Sequence, residues 1–402
     1  MRVDRGVADP FVHARTSARM PSRLRRSQPR STAEMRHPGR CISVRWDPAL
    51  RNRSSTTQSR IPLADYSSRR SFTMPSPTTD IALLTDARYV ATSAPPGDAY
   101  YGNILQDDAL LQEALAKLGL SSERVDWADP AVDWTRFRCA VFRTTWDYFD
   151  RIHHFRGWLD SVEDATLLLN SASLVRWNLD KHYLGELAGK GVPVVPSRYL
   201  EAGDDTPLPR LLEETGWKEA VIKPCISGAA RLTFRVDQAS AEAVDERLRA
   251  PRATEAFLLQ PFQESVLHAG EVTLVVVDGQ VTHGVRKRAR PGDFRVQDDH
   301  GGTVHPHTPS PREVEVVLGA MAACPSPPLY GRVDLVEDNE GGIAVMELEI
   351  IEPELWLRFH PPAAVALAEA IARQLAASAG STVRLHEASA GSTVRLHEAS
   401  SS

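Results

Sequence analysis

Long apolar runs are missing from this 402-residue chain. No stretch approaches the ~20 apolar residues that a bilayer span needs, and no apolar signal core stands near the start, so secretion is not indicated. Cysteine is scarce. Cys41, Cys139, Cys225 and Cys324 are scattered without paired spacing, which excludes a disulfide framework or a zinc site and makes a reducing cytoplasm the expectation. A net charge of -5 lacks the basic face that phosphate neutralisation requires, so nucleic acid is excluded as a partner. There is no GxxxxGK[ST] loop, no GxGxxG after a strand and no GxSxG or Cys/His signature. What remains is ordinary for a globular chain, with 42% hydrophobic and 25% charged residues and length for about two to three domains.

The two ends stand apart. Residues 1–75 contain no lysine and few acids, are rich in Arg and Ser, and carry no hydrophobic periodicity. Such a segment buries too little apolar surface to offset its ordering entropy. A disordered basic extension, an organelle transit peptide and a translation start at Met74 all fit it; the last places the start just before the first strand. At the other end AGSTVRLHEAS occurs twice in tandem, over 379–389 and 390–400, and two short copies make a low-complexity tail over 379–402 rather than a solenoid.

Between the ends the pattern changes once. IALLTD (81–86), CAVFRTT (139–145) and LLLN (167–170) read as buried strands, separated by helices over 108–118 and from Ile152 to Val162. That alternation predicts an α/β domain with a parallel sheet over 78–172. Ligands of such sheets bind at the C-terminal strand ends, where Arg143, Thr144, Trp146 and Asp147 lie as substrate candidates. A helix over 180–190, VPVVPS as a strand edge, a helix over 208–215, AVIKP (220–224), LTFRV and FLLQPF (257–262) make a small lobe over 173–262. Over 263–378 the pattern is antiparallel. EVTLVVVDG turns into QVTHGVRKR through Asp278-Gly279, a strong hairpin signal, and DNEGG joins LYGRVDLVE to IAVMELEI before a helix over 361–376. The fold class is therefore α/β plus α+β.

Lys223 ends an apolar strand and precedes the small-residue loop Ser227-Gly228-Ala229-Ala230, a combination able to approach phosphate oxygens. A surface Lys before a turn explains the same residues. Glu347 and Glu349, two apart in a strand, point to one face, and Leu348 points to the core. Asp334 takes an alternating position in the hairpin partner. Three converging carboxylates repel unless a cation is present, and magnesium takes carboxylates plus phosphates; solvent-facing acids are the alternative. Arg286 and Arg288 fall on one strand face and Lys287 on the other, and donors of this kind suit a developing phosphoryl charge, or form a solvated charge run. His300, His305 and His307 read as a solvent-facing loop, and Cys225 as a small buried filler.

Assembled in order, RTTWDY (143–148), RWNLDKHYL (176–184), GVPVVPS (191–197), VIKP (221–224) with SGAA, QPF (260–262), GEVTL (270–274), VRKRARPGDFRVQ (285–297), RVDLV and MELEIIEPELWL resemble the ATP-grasp superfamily over 81–375. The likeness is to its glutathione-synthetase-like branch, which includes the O-ureido-serine cyclo-ligase of cycloserine biosynthesis. The resemblance implies an ATP-grasp fold with an N-terminal parallel-sheet domain. It also implies a ligase that phosphorylates a carboxylate with ATP and Mg2+ (or Mn2+) for attack by a nitrogen of a small amino-acid-like substrate. A phosphotransferase and a non-catalytic ATP-binding module are the alternatives, and a homodimer stays open. By the same resemblance Lys181 and Lys223 hold ATP phosphates, the loop with Ser227, Gly228 and Ala229 closes over them, and Gln260, Pro261 and Phe262 line the adenine pocket. Glu264 takes the ribose, Arg286 and Lys287 face the γ-phosphate and the acyl phosphate, and Asp334, Glu347 and Glu349 bind metal. Arg295 joins the substrate group. The superfamily usually has Glu-x-Asn where this chain has Glu347-Leu348-Glu349, which adds charge and leaves metal stoichiometry open.

Overall fold

The computed structural model describes residues 79–296 and 301–379. The segment with Met74, His300 and the repeat beyond 379 lie outside the described residues.

The first layer is the expected parallel sheet. β1 (Thr79–Thr85), β2 (Ser122–Asp126), β3 (Phe137–Thr144) and β4 (Leu167–Leu169) pair in the order β2-β1-β3-β4, all parallel. Two helices connect these strands, α1 (Ala99–Lys117) and α2 (Ile152–Val162). α1 begins well before the apolar periodicity does, because the Asp98 carboxylate accepts from Tyr101 N and caps the helix there. Gly119, at φ +76°, ends it as expected. β2 gave no sequence signal: SERVD is a short polar edge strand with only Val125 buried.

The small lobe follows α3 (Ala172–Asn178) and α4 (Tyr183–Gly189). Its strands are β5 (Arg198–Leu200), β6 (Glu219–Pro224), β7 (Phe234–Asp237) and β8 (Phe257–Pro261), antiparallel in the order β5-β8-β6-β7, with α5 (Leu208–Thr215) and α6 (Ala241–Arg252) behind them. Leu208, Leu211, Leu212, Ile222, Leu248 and Phe257 form its separate core. VPVVPS is not a strand of this sheet. Its prolines cannot donate to a ladder, and the segment makes one isolated bridge, Val194 to Val345.

After the short helix α7 (Ser265–His268), β9 (Glu271–Val277) and β10 (Gln280–Arg288) form the expected hairpin, with Asp278 at φ +50° and Gly279 at φ +72° in its turn. β11 (Thr303–His307) then adds an edge strand and α8 (Pro311–Ala322) a helix. Neither was legible in the periodicity, although Ser310 and Glu313 close a capping box at the start of α8. His305 and His307 therefore sit on a strand rather than in a loop, and His307 Nε2 meets Glu313 at 3.0 Å. β12 (Tyr330–Glu337) and β13 (Ile343–Glu349) complete a five-stranded sheet, β11-β10-β9-β12-β13. The last helix, α9, covers 362–379.

Buried side-chain amides lock this sheet to its neighbours. Asn170, after β4, donates to the carbonyls of Tyr330 and Ile350 and accepts from Leu329 N. Asn178 donates to Leu348 O and accepts from Ile350 N, and Tyr183 Oη accepts from Leu348 N. Satisfied buried polar contacts of this kind hold β13 in a fixed place.

Candidate active site

A cavity of about 580 Å³ opens between the small lobe, the five-stranded sheet and the C-terminal edge of the parallel sheet. Lys181 and Lys223 enter it from different elements. Lys181 follows α3, and its N–H donates to Cys225 O just past β6, so the two lysines are tied through backbone. Lys181 Nζ lies 2.6 Å from Ser227 O and 3.1 Å from Glu347 Oε1, and Lys223 Nζ lies 3.9 Å from Glu347 Oε2. The two ammonium groups respond differently. Burial works to depress both, but Glu347 outweighs it at Lys181, which is held above its ordinary value, whereas Lys223 stays below. Lys223 is thus a cation short of a full partner.

The loop after β6 crosses the mouth of the cavity. Ala229 and Ala230 take left-handed φ values of +48° and +54°, strain of a kind that concentrates at ligand clamps. Gly228 is required by space: a Cβ there would stand 2.6 Å from the Phe149 ring.

β9, β10, β12 and β13 supply the charged floor. Glu271, Lys287, Arg332, Glu347 and Glu349 line the cavity. Asp334 is buried just behind them, 3.0 Å from Lys287, 3.2 Å from Arg332 and 2.5 Å from Thr273 Oγ1. Burial raises its pKa, but Arg332 and Lys287 prevail and pull it down to about 2. Glu349 is 2.6 Å from Arg332, yet burial beside Asp334 and Glu347 leaves its carboxyl well above the usual range. Glu271 pairs with Lys287. The acids do not simply repel one another, as the sequence reading held, because the chain supplies its own cations.

Of the residues singled out in the sequence, the cavity gathers Lys181, Lys223, Ser227, Gly228, Ala229, Gln260, Pro261, Phe262, Lys287, Glu347, Glu349, Trp146 and Arg295. It does not gather the others. Arg286 points to the opposite sheet face, donating to Ala269 O at 2.9 Å. Glu264 is exposed at the start of α7, its backbone N–H donating to Asn339 Oδ1 and its carbonyl accepting from Leu267 N. Arg143 is buried against Asp108 at 2.9 Å, Thr144 donates to Thr85 Oγ1, and Asp147 accepts from Trp127 Nε1 and Arg151. These three lie outside the cavity lining: of the four side chains to which the C-terminal strand-end rule pointed, Trp146 alone reaches it.

Several lining residues were missed. Arg332 had a signal, since it stands two before Asp334 and so shares its face. Arg88, Tyr89, Tyr100, Glu352 and Trp356 had none. They reach the cavity from a 3-10 turn, a helix start and the segment after β13. Trp146 stacks on Tyr100 and meets Tyr89 edge-on, giving the cavity an aromatic wall.

Residues 81–170 match the family described as the N-terminal domain of D-cycloserine synthetase DcsG, and residues 221–354 match the RimK-like ATP-grasp domain. The cycloserine biosynthesis protein DcsG of Streptomyces lavendulae is 34% identical over 283 residues, 66% of this chain and 92% of that protein. The chain belongs to the RimK-like ATP-grasp family. It superposes on the crystal structure of D-cycloserine synthetase DcsG with a TM-score of 0.64 and 32% identity, covering 73% of this chain and 99% of that one. A RimK domain ATP-grasp protein from Sphaerobacter thermophilus DSM 20745, at TM-score 0.52 and 19% identity over 72% and 98% of the two chains, shares the fold. As a member of this family the protein is an ATP-dependent carboxylate–amine ligase that uses ATP and a divalent metal. Its residues fit such a metal: Glu347 and Glu349 present carboxylate oxygens, the donor type for hard cations, beside the lysines. Among the described residues no helix is long and apolar enough to cross a membrane.

Proposed function

We propose that this ligase closes a small amino-acid-like substrate of the O-ureido-serine type, activating its carboxyl for attack by a nitrogen of the same molecule, with Mg2+ as the working metal. The observation that carries the reading is the convergence of Lys181 and Lys223 on Glu347 in a cavity that a strained small-residue loop and an aromatic cluster also line. A cavity of about 580 Å³ falls in the ordinary range of small-molecule sites. The 34% relative named for cycloserine biosynthesis supports the same substrate class.

In this reading Lys181 and Lys223 hold the phosphates. Backbone N–H groups of Ser227 to Ala229 close over them, and Gln260, Pro261 and Phe262 border the base. Glu347 and Glu349 hold the metal, which when bound neutralises phosphate charge. Lys287 and Arg332 face the charge that develops as the carboxylate attacks the terminal phosphorus and ADP leaves. Trp146, Tyr89 and Tyr100 pack the substrate and keep water from the acyl phosphate. No protein nucleophile is needed, because the acyl phosphate already carries a leaving group.

The test is turnover with ATP, O-ureido-serine and either Mg2+ or Mn2+. ADP and free phosphate should appear together with the cyclic product, only when the amino acid is present, and faster with Mg2+. Hydroxylamine should divert the intermediate to a hydroxamate. A stable phosphorylated amino acid without free phosphate would mean phosphotransfer instead.

A further inference from the structure

Amide formation needs a proton acceptor as well as an electrophile. The nitrogen lone pair forms the C–N bond at the acyl carbon, and the C–O bond to phosphate breaks with its electron pair leaving on phosphate. The nitrogen must then shed a proton. A carboxylate whose oxygens already face a basic side chain is tied to that partner.

Six carboxylates line the cavity. Five have a basic partner: Glu347 has Lys181 at 3.1 Å, Glu349 has Arg332 at 2.6 Å, Glu354 has Arg358 at 2.8 Å, Asp150 has Arg231 at 3.6 Å and Glu271 has Lys287. Glu352 forms no ion pair among the described residues, and its side-chain partner is the neutral phenol of Tyr148. Its placement is fixed from both sides. Its carbonyl accepts from Trp146 Nε1 at 2.9 Å, and Pro353 stiffens the chain immediately after it. It therefore stands where the aromatic wall meets the lysine side of the cavity.

We propose that Glu352 is the catalytic base that takes the proton from the attacking nitrogen. Its surroundings suit the task. Burial lifts its pKa; Lys181, Tyr148 and Arg332 oppose that and Glu347 adds to it, leaving it at about 7. Glu349 and Tyr330 also feel its charge. A base poised near the working pH is the most effective one.

The proposal rests on the ligase reading above, and its test separates the two. In Glu352→Gln, cyclisation of O-ureido-serine should fall at least about 100-fold. Phosphorylation of the carboxylate, followed by positional isotope exchange in ATP, should stay within about threefold. The acid limb of the pH profile should vanish in this variant. In Tyr148→Phe, which removes a donor that favours the ionised form, that limb should move to higher pH with the plateau retained. Cyclisation by Glu352→Gln at near wild-type rate, or equal loss of isotope exchange and cyclisation, would overturn the proposal. Wild-type chain that makes no cyclic product would instead overturn the substrate reading. Carbon NMR of labelled glutamate carboxyls then still decides for Glu352: the resonance lost in Glu352→Gln should titrate near neutrality and shift upward in Tyr148→Phe, and titration below about pH 5 would sink it.

Discussion

The five-stranded sheet has two faces of opposite character, built from alternate residues of the same strands. On one, Val272, Leu274, Val276, Val333, Leu335 and Leu348 pack with Val316, Val317, Ala320 and Met321 of α8 in a single apolar core. On the other, Glu271, Lys287, Arg332, Asp334, Glu347 and Glu349 crowd together, Lys287 and Asp334 buried and the rest bordering the cavity. Period-two alternation lets one strand serve both layers at once. The difference between them lies in how each is stabilised. The apolar face gains by burial alone, whereas the charged face depends on balance. Its four acids meet two cations of the sheet, and Lys181 and Lys223 from outside bring the cations to four. Removing one member of such a set leaves a buried charge uncompensated.

The largest effect should come from breaking that balance. Arg332 pairs with both Asp334 and Glu349 and lies over the Trp356 ring. Arg332→Met should cost about 3–5 kcal/mol in urea unfolding, since two buried carboxylates lose their shared partner. A loss below about 1 kcal/mol would mean that the charged face tolerates imbalance, and the contrast with the apolar face would weaken.

The same contrast explains what the sequence reveals. Alternation exposes any site laid along a strand, so the sequence puts Glu347 and Glu349 on one face with Leu348 towards the core, and separates Lys287 from Arg286 without telling which of the two meets the cleft. The Asp278-Gly279 turn was legible because its backbone needs φ > 0 at both positions. What strands do not carry was not legible. Glu352 and Trp356 follow β13 in irregular chain, and Arg88, Tyr89 and Tyr100 belong to another layer, brought in by tertiary packing alone. β2 and β11 were missed because short, polar edge strands bury too little to leave a period. Arg143, Thr144 and Asp147 show the converse error. Their position in the fold was right, but Arg143 Nε pairs with Asp108, Thr144 donates to Thr85 and Asp147 accepts from Trp127, and none of the three lines the cavity.

A smaller effect should appear in acid, at the far end of the charged face. His283 donates through Nε2 to Leu355 O and stacks on His360 at 5.3 Å. Burial, reinforced by His360, lowers its pKa to about 4. The unfolded chain binds this proton near the ordinary value of about 6.5 and the folded chain only near 4. The contribution of His283 to stability is therefore complete above about pH 6.5 and declines as pH falls towards 4, by up to about 3 kcal/mol. As pH falls from about 6.5 towards 4 the wild type should lose stability relative to His283→Gln in thermal melts, and above about pH 6.5 the difference between the two should stay constant. Parallel curves across that window would show that the histidine is not held neutral.

The smallest effect should belong to the residue next to the most buried cation of the site. Arg286 and Lys287 are sequence neighbours and were both assigned to phosphoryl chemistry, yet the pleat sends them to opposite faces. Lys287 lies between Glu271 and Asp334 on the cleft side. Arg286 donates to Ala269 O at 2.9 Å and approaches His307 Nδ1 at 3.4 Å, away from the cavity lining. Arg286→Ala removes one hydrogen bond to a carbonyl at the end of α7 and some packing of a half-buried stem, worth about 1 kcal/mol. Ligation should stay within about threefold, because no atom of Arg286 lines the space where charge develops, and long-range effects on exposed groups are screened. Steady-state kinetics with ATP and the amino acid varied in turn would check this. A drop in kcat of more than about tenfold, at unchanged melting temperature, would place Arg286 at the reacting phosphate during turnover. β10 would then have to twist when the cavity closes, and the two-faced sheet would describe only the open protein.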